Sequence, residues 1–257
     1  MQIYVCVKYV PDTAANIKVV GRAGFDESVK FVINPFDEYA VEQAVQIKEK
    51  RSESEVVIVT IGKEFAIKMI RSVLALGADR GILVKTDTQF LDSILTSQAL
   101  KKAIELDGFP DLIFTGKQSI ESEGMQTHFR LAAAFDMPVA TDVVNFSMSD
   151  EKVIVEREIG DGTREVIEMT RPCIVGVTKG LNEPRYPKLP EIMRAKKKEV
   201  KQVDIAELGL ETPVSGMELM ELRSVPERGK AKMLQGDPRQ MTEQLVQLLK
   251  NEAKVLL

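Results

Sequence analysis

The residues best suited to binding chemistry form one stretch with two glycines, three hydroxyl side chains and a closing Gln-Thr pair. The stretch follows an apolar run at 111–115 and leads into a helical pattern at 125–135. At the carboxyl end of a parallel strand, such a loop offers backbone N–H groups and a helix N-terminus to an anion. A surface turn whose glycines only satisfy backbone geometry explains the spacing equally well. The candidate binding residues are Gly116, Lys117, Gln118, Ser119, Ile120, Glu121, Ser122, Glu123, Gly124, Met125, Gln126 and Thr127.

A second candidate is the tetrapeptide Asn-Pro-Phe-Asp at 34–37. Asn34 suits a helix N-cap, Pro35 suits the first helical position, and Asp37 falls where a capping-box partner would lie. Helix initiation therefore explains the motif by itself. The motif gains a binding role only if the cap also lines the crevice beside the first strand, and a residue such as Phe36 is more often part of a core.

The single histidine and one pair of acids are candidate catalytic groups. His128 has no nucleophile and no orienting acid nearby in the sequence, so we expect a partly exposed or capping histidine. Glu156 and Glu158 share one face of a strand, which would allow paired carboxylates, but solvated charges on a hairpin are the commoner explanation. Neither the dinucleotide-binding motif Gly-x-Gly-x-x-Gly after the first strand nor a P-loop motif occurs in the sequence.

The composition excludes several classes of protein. The chain has 257 residues, of which 44% are hydrophobic and 29% charged, and its net charge of −4 gives no global attraction for nucleic acid or an anionic membrane. No apolar run reaches the roughly eighteen residues of a membrane span. Two cysteines, Cys6 and Cys173, lie in apolar runs and argue against a disulfide framework, and one histidine argues against a multi-His metal site. We expect a cytoplasmic protein without a metal ion.

Strand-like and helix-like patterns alternate through the first two thirds of the chain. Five apolar runs rich in β-branched residues predict buried strands, and the segments between them carry apolar residues at helical spacing. This alternation predicts a doubly wound α/β fold with a mostly parallel sheet. Two alternating stretches about a Gly-Asp-Gly turn predict an antiparallel hairpin. The predicted strands are 3–10, 55–61, 81–84, 111–115 and 173–177, the helices 35–50, 64–76, 91–106 and 125–135, and the hairpin strands 153–159 and 165–169.

The composition of the chain changes after residue 189. A basic run at 194–198 precedes polar connectors, and an amphipathic helix is predicted over 241–256. We therefore divide the chain into an α/β domain at 1–212 and an extended C-terminal arm at 213–257. Because the arm carries little core of its own, we expect it to pack on another subunit.

The segment before the basic run is stiffened by three prolines at intervals of three residues. Pro184, Pro187 and Pro190 predict an extended, protruding conformation, on which Tyr186 and Leu189 are hard to bury. An exposed apolar anchor beside a basic run predicts a small docking device. Burial of one leucine in a partner's pocket stabilises a complex by about 1.5–3 kcal/mol, which suits transient contact. An interdomain loop followed by a solvated lysine-rich helix is the alternative.

The same segment closely resembles the signature of the electron transfer flavoprotein β subunit. It reads Leu-Asn-Glu-Pro-Arg-Tyr-Pro-Lys-Leu-Pro-Glu-Ile-Met-Arg-Ala-Lys-Lys-Lys over 181–198. Further matches fall in the right order, and the resemblance spans nearly the whole chain. They are Val-Lys-Tyr-Val-Pro-Asp at 7–12, Asn-Pro-Phe-Asp-Glu at 34–38, Leu-Gly-Ala-Asp-Arg-Gly at 76–81, Gly-Lys-Gln-Ser-Ile at 116–120 and Val-Glu-Arg-Glu-Ile at 155–159.

The resemblance implies an electron carrier subunit rather than an enzyme. In this family the β subunit has a Rossmann-like fold that binds an adenine nucleotide, usually AMP, and it forms a heterodimer with an α subunit that carries FAD. The heterodimer would take electrons from dehydrogenases such as acyl-CoA dehydrogenases and pass them to a membrane-bound quinone oxidoreductase. These expectations involve neither nucleic acid nor insertion into a membrane.

The resemblance also assigns roles to particular residues of this sequence. Phe36 matches a phenylalanine near the flavin of the partner subunit, and Glu158 matches an acid that pairs with an arginine of the α subunit. Thr13 stands where some relatives place a tyrosine near the flavin. The implied AMP pocket comprises Cys6, Asn34, Pro35, Phe36, Asp37, Ile61 and residues 116–127. The implied docking residues are Pro184, Arg185, Tyr186, Pro187, Lys188, Leu189, Pro190, Glu191, Ile192 and Met193.

Two other functions remain open at this point. Electron-bifurcating relatives hold a second FAD in place of AMP and typically carry an Asp-Gly-Asp-Thr-Ala-Gln-type loop. The sequence at 121–127, Glu-Ser-Glu-Gly-Met-Gln-Thr, is closer to the AMP-binding form. A free-standing adenine-nucleotide sensor would use the same crevice without a partner subunit.

Overall fold

The computed structural model describes residues 1–210, 216–225, 229 and 231–256. Within these residues, helices pack on both faces of a nine-stranded sheet, and two small antiparallel sheets stand beside it. The first half contains β1 (Gln2–Cys6), β2 (Tyr9–Pro11), β3 (Val19–Val20), β4 (Gly24–Phe25), β5 (Phe31–Ile33), α1 (Pro35–Lys50), β6 (Glu55–Gly62), α2 (Ala66–Leu74), β7 (Arg80–Lys85) and α3 (Ser93–Glu105). The second half contains β8 (Leu112–Gly116), α4 (Thr127–Phe135), β9 (Val139–Met148), β10 (Lys152–Gly160), β11 (Thr163–Thr170), β12 (Cys173–Val177), α5 (Leu189–Ala195), β13 (Val200–Asp204), a 3-10 turn (Ile205–Leu208) and α6 (Pro238–Asn251).

The strand order of the large sheet is β11-β10-β9-β12-β8-β1-β6-β7-β13. The strands from β9 to β13 in this order pair in parallel, whereas β9, β10 and β11 form antiparallel pairs. The chain runs outward from β1 through β6 to β7 and then returns to place β8 on the other side of β1. This reversal makes the border between β1 and β8 a topological switch point. The predicted doubly wound fold and its hairpin are confirmed.

The core lies in two layers that the alternation of side chains on each strand separates. On β1, Ile3 and Val5 face the layer under α1 and α2, whereas Tyr4 faces the layer under α3 and α4. All three side chains are buried. Burial on both faces explains why the strands of the sequence read as continuous apolar runs.

Helix α1 has the predicted bounds, but the first strand does not. The expectation of one strand over 3–10 is wrong, because β1 ends at Cys6 and residues Tyr9–Pro11 pair with β5 in a separate sheet. The N–H of Lys8 leaves the ladder to bond the carboxylate of Asp37. Strands β9 and β13 were not predicted, because polar residues interrupt the apolar signal of both, and β13 also lies at the edge of the sheet.

The described chain falls into two compact units, Met1–Leu222 and Arg223–Leu257. The second unit contains α6, which Asp237 caps by accepting hydrogen bonds from the N–H groups of Arg239 and Gln240. The helix covers Pro238–Asn251 rather than the predicted 241–256, and none of its side chains is buried. The predicted domain boundary at 212/213 lies outside the described residues, and packing of the arm on another subunit stays a prediction.

We expect the core and the surface of this fold to respond differently to loss of a phenylalanine. Phe114 on β8 is fully buried, whereas Phe109 in the preceding loop is 93% exposed. Phe114→Ala should lower the free energy of unfolding by about 3–5 kcal/mol because it leaves a cavity. Phe109→Ala is the matched control and should change it by about 0.5 kcal/mol or less. Urea unfolding of both variants measures this, and equal losses would contradict the assigned packing.

Candidate functional site

A cleft of about 340 Å³ opens where β8, β1 and β6 end. Its lining includes Cys6 at the end of β1, Ile61 near the end of β6 and Gly116 at the end of β8. The cleft therefore occupies the switch point, where open α/β sheets bind their ligands. Its volume lies near the lower end of the range of about 300–1,000 Å³ found for small-molecule sites.

Two side chains at the start of α1 connect this helix to the residue stretch after β1 and to the loop after β8, which border the cleft. Asp37 accepts hydrogen bonds from the N–H of Lys8 at 2.7 Å and from the N–H of Gly116 at 3.0 Å. The side-chain amide of Asn34 donates to the carbonyl of Gln118 at 2.8 Å, and its oxygen accepts from the N–H of Ile120 at 3.1 Å. Asn34 is the N-cap residue of α1, as predicted, but its side chain makes no capping bond to the helix and the Asp37 carboxylate bonds Lys8 and Gly116, so the predicted capping box is wrong. The Asn34 amide instead holds the loop after β8 through the backbone of Gln118 and Ile120.

Burial controls the ionisation of the groups beneath the cleft. It raises the pKa of Asp37 to about 7, although the N–H groups of Lys8 and Gly116 and the amide of Asn34 act in the opposite direction. Burial, together with the nearby Asp37 carboxylate, raises the pKa of the Cys6 thiol to about 12. Cys6 is therefore a protonated, unreactive wall of the cleft.

The loop after β8 presents donors to the cleft. The N-cap residue of α4 is Gln126, whose side chain makes no capping bond to the helix. Thr127 and the N-terminus of α4 lie on the cleft wall, so uncapped N–H groups and the positive end of the helix dipole are available to an anion. The hydroxyls of Ser119 and Ser122 lie 2.8 Å apart on the same wall.

Two lysines near the cleft pair with acids, one of them in the loop after β8. Lys8 forms an ion pair with Glu121, so the negative charge of Glu121 is compensated at the cleft. The Nζ atom of Lys117 lies 3.1 Å from Oδ1 of Asp142 and 5.5 Å from the ring centroid of Phe36. The half-buried Phe36 thus packs against a cation rather than lying wholly in the core.

His128 differs from its prediction. We expected a partly exposed or capping histidine, but its side chain is only 2% exposed and packs against Phe129 with ring centroids 4.3 Å apart. The Nε2 atom is buried and has no hydrogen-bond partner among the described residues. Burial lowers the pKa of His128 to about 4, so the ring is neutral at pH 7.

One wall of the cleft was missed by sequence analysis. It consists of the loop after β7, with Gln89 and Phe90, and of the aromatic side chains Phe25, Phe31 and Tyr9. The ring of Phe25 lies 6.2 Å from that of Phe90 and 6.4 Å from that of Phe31. Ligands of open α/β sheets bind at the carboxyl ends of strands, and this loop follows the predicted strand 81–84 just as residues 116–127 follow the predicted strand 111–115. The position of the loop in the sequence was therefore a signal for this wall.

Comparison with known proteins identifies the family. The model of the electron transfer flavoprotein domain matches residues 23–208. The chain is 35% identical to "Electron transfer flavoprotein subunit beta" of Bacillus subtilis and 36% identical to "Electron transfer flavoprotein subunit beta, mitochondrial" of Arabidopsis thaliana, each over 260 residues and 100% of both chains. It is 38% identical over 258 residues to "Electron transfer flavoprotein subunit beta" of Bradyrhizobium diazoefficiens, again over 100% of both chains. The chain belongs to the electron transfer flavoprotein β-subunit family.

In this family member, the proline-rich segment is partly helical. The expectation of a continuously extended conformation is wrong, because α5 begins at Leu189 and carries Pro190 in its first turn, where proline is well tolerated. Tyr186 is 93% exposed and Leu189 is 72% exposed, so both apolar side chains protrude as predicted. Arg185 turns towards α1 and pairs with Glu42 and Glu49.

The acids of the hairpin lie apart from the cleft lining. Glu156 accepts hydrogen bonds from Asn145 at 3.0 Å and from Arg164 at 3.2 Å, so its charge is balanced by an arginine rather than shared with Glu158. Glu158 is exposed on β10. The described residues contain no cluster of three or more His, Cys, Asp or Glu side chains placed to hold a metal ion, and no helix among them is long and apolar enough to cross a membrane.

We expect the two glycines of the loop after β8 to differ in their tolerance of a methyl group. A Cβ at Gly116 would collide with the Asp37 carboxylate and with Phe36, whereas a Cβ at Gly124 would meet no protein atom within 4 Å. Gly116→Ala should therefore lower the free energy of unfolding by about 1–3 kcal/mol. Gly124→Ala, the control, should change it by about 0.5 kcal/mol or less. Thermal and urea unfolding test this, and an unaffected Gly116→Ala variant would contradict the close approach of α1 to β8.

Proposed function

We propose that this chain is the β subunit of a heterodimeric electron transfer flavoprotein and that its cleft holds AMP, while the α subunit carries FAD. The observation that supports AMP most directly is the cleft at the switch point. Hydrogen bonds of Asn34 and Asp37 fix the segments that border this cleft in position. Family membership supports the electron-transfer role. The nucleotide would act as a structural ligand rather than a reactant.

The chemistry of the cleft walls suits an adenylate. Uncapped N–H groups of α4 and the hydroxyls of Ser119 and Ser122 provide donors for one phosphate. The lining also contains Ile61 and aromatic side chains, against which a planar base can pack. The pairing of Lys8 with Glu121 already uses one cation of the site, which favours a ligand with few charges.

A second flavin in place of AMP is the main alternative. The cleft extends along the loop after β7 to Phe90 and Gln89, and this extension would suit a dinucleotide better than a mononucleotide. Such a chain would belong to an electron-bifurcating flavoprotein. A free-standing nucleotide sensor is a further alternative, in which the chain would need no α subunit.

The nucleotides released from the denatured heterodimer distinguish these functions. We expect one AMP and one FAD per heterodimer by mass analysis. Two flavins without AMP would replace the carrier proposal with bifurcation. An isolated chain that is a stable monomer by size-exclusion chromatography and binds nucleotide without the α subunit would favour the sensor.

We also propose that the exposed segment 184–193 docks donor dehydrogenases, such as acyl-CoA dehydrogenases, and that the electrons pass on to a quinone oxidoreductase. Leu189 is the expected anchor, because it protrudes from the start of α5 and would enter an apolar pocket of the donor. A single buried leucine gives a weak contact, and weak contacts allow the fast exchange that a shuttle needs. Glu158 on the exposed hairpin would pair with an arginine of the α subunit.

Loss of the Leu189 side chain tests the docking role. We expect Leu189→Ala to raise the KM of an acyl-CoA dehydrogenase for the flavoprotein about tenfold, because the transfer energy of the missing atoms is about 1.4 kcal/mol or more. Leu106→Ala is the matched control, since Leu106 is a 61% exposed leucine outside the docking segment. Heterodimer assembly and nucleotide content should not change in either variant. An unchanged KM for Leu189→Ala would refute the docking role.

A further inference from the structure

We propose that Arg185 is a positioning residue, whose guanidinium fixes the docking segment on α1 before any donor arrives. The inference rests on the proposed docking function of residues 184–193. It assigns Arg185 a role different from that of its exposed neighbours Tyr186 and Leu189, because its side chain points into the protein rather than towards a partner.

The geometry around Arg185 is that of a two-carboxylate clamp. Its guanidinium donates to both oxygens of Glu42, at 2.8 and 3.0 Å, and to both oxygens of Glu49, at 2.5 and 3.0 Å. The backbone N–H of Arg185 donates to Glu42 as well, at 3.2 Å. Bidentate pairs of this kind fix orientation as well as distance.

The clamp is stronger than an ordinary surface ion pair because one acid is buried. The side chain of Glu42 is only 5% exposed. Burial acts to raise its pKa, but hydrogen bonds from Arg185 and Gln46 outweigh burial and hold the pKa of Glu42 below its usual value. An exposed pair would contribute little, whereas a pair sheltered from water contributes more to holding a loop.

A second set of contacts holds the other end of the segment. Arg71 of α2 donates to the carbonyl oxygens of Ala195, the last residue of α5, and of Lys198, three residues farther along. The Lys198 ammonium donates to the carbonyl oxygens of Leu74, the last residue of α2, and of Ala78 in the loop that follows. A cationic side chain thus bonds a carbonyl at the C-terminal end of each helix, where a positive charge is favourable.

Between the two anchored ends, the apolar side chains have no core to hold them. Tyr186, Leu189 and Met193 are each more than half exposed. Without the anchors, binding of a donor would have to order both the backbone and these side chains, and that ordering opposes association. The anchors order the backbone in advance, so Arg185 increases donor affinity without touching the donor.

The test compares two arginines that each form ion pairs, one in the segment and one away from it. Arg185→Met removes the clamp, whereas Arg51→Met removes an arginine at the end of α1 that pairs with the exposed Asp150, outside the cleft and the segment 184–193. Both variants are purified as heterodimers and assayed with an acyl-CoA dehydrogenase and its acyl-CoA. Hydrogen–deuterium exchange of the amides at 186–193 reports the order of the segment without any donor.

We expect Arg185→Met to accelerate this exchange about tenfold and to raise the KM for the flavoprotein severalfold at unchanged kcat, since a loosened segment opens more often. Arg51→Met should change neither quantity. Arg185→Lys should recover part of both, because it keeps a charged donor but loses the planar fork of the guanidinium. Exchange and KM equal to those of Arg51→Met would overturn the proposal.

Two further variants separate the possible failures. If Leu189→Ala leaves the KM unchanged, the proposed docking function is wrong. Hydrogen–deuterium exchange of the amides at 186–193 then tests by itself whether Arg185 holds the segment. If Arg185→Met does not assemble, Glu49→Gln weakens the clamp at its 56% exposed acid and spares the buried one. Faster exchange in Glu49→Gln supports the clamp, and unchanged exchange overturns it.

Discussion

The cleft depends on the two hydrogen bonds that the Asp37 carboxylate accepts from backbone N–H groups. Where β1 and β8 end, the backbone N–H groups of Lys8 and Gly116 pass beyond the parallel ladder and need an acceptor. Asp37 supplies one oxygen to each. The same carboxylate is costly to bury, as its raised pKa shows, so both donors and the amide of Asn34 are needed to keep it. The opening between the strands is therefore held by a mutual requirement: each group would be unsatisfied without the others.

Helix α1 repeats this use of acids along its length. Asp37 in its first turn binds the cleft walls, and Glu42 and Glu49, farther along, bind the exposed segment 184–193 through Arg185. One rigid helix thus carries both the border of the cleft and the anchor of the exposed segment. Its buried acids also explain why α1 has a weakly amphipathic sequence although its core-facing residues Val41 and Val45 are buried.

The sequence predicts those parts of the fold that local patterns determine. Continuous apolar runs predict the parallel strands, and Pro35 with the apolar spacing after it predicts α1. Side-chain partners distant in sequence decide the rest. Asn34 is a good cap by type, yet it bonds a loop 84 to 86 residues away. His128 is polar by type, yet its side chain is buried and packs against Phe129. These outcomes depend on tertiary packing, which no local pattern contains.

The ionisation of the cleft suits a static ligand better than a reaction. His128 stays neutral and Cys6 stays protonated because both are buried, and both oxygens of Asp37 already accept hydrogen bonds. A general acid or base must exchange a proton with its substrate, and a nucleophile must be ionised and accessible. None of these three groups meets that requirement. A carrier of electrons needs instead a stable platform, and the hydrogen bonds of Asn34 and Asp37 make the cleft rigid. In the proposed function, the exposed segment at 184–193 would supply the approach surface separately from the cleft.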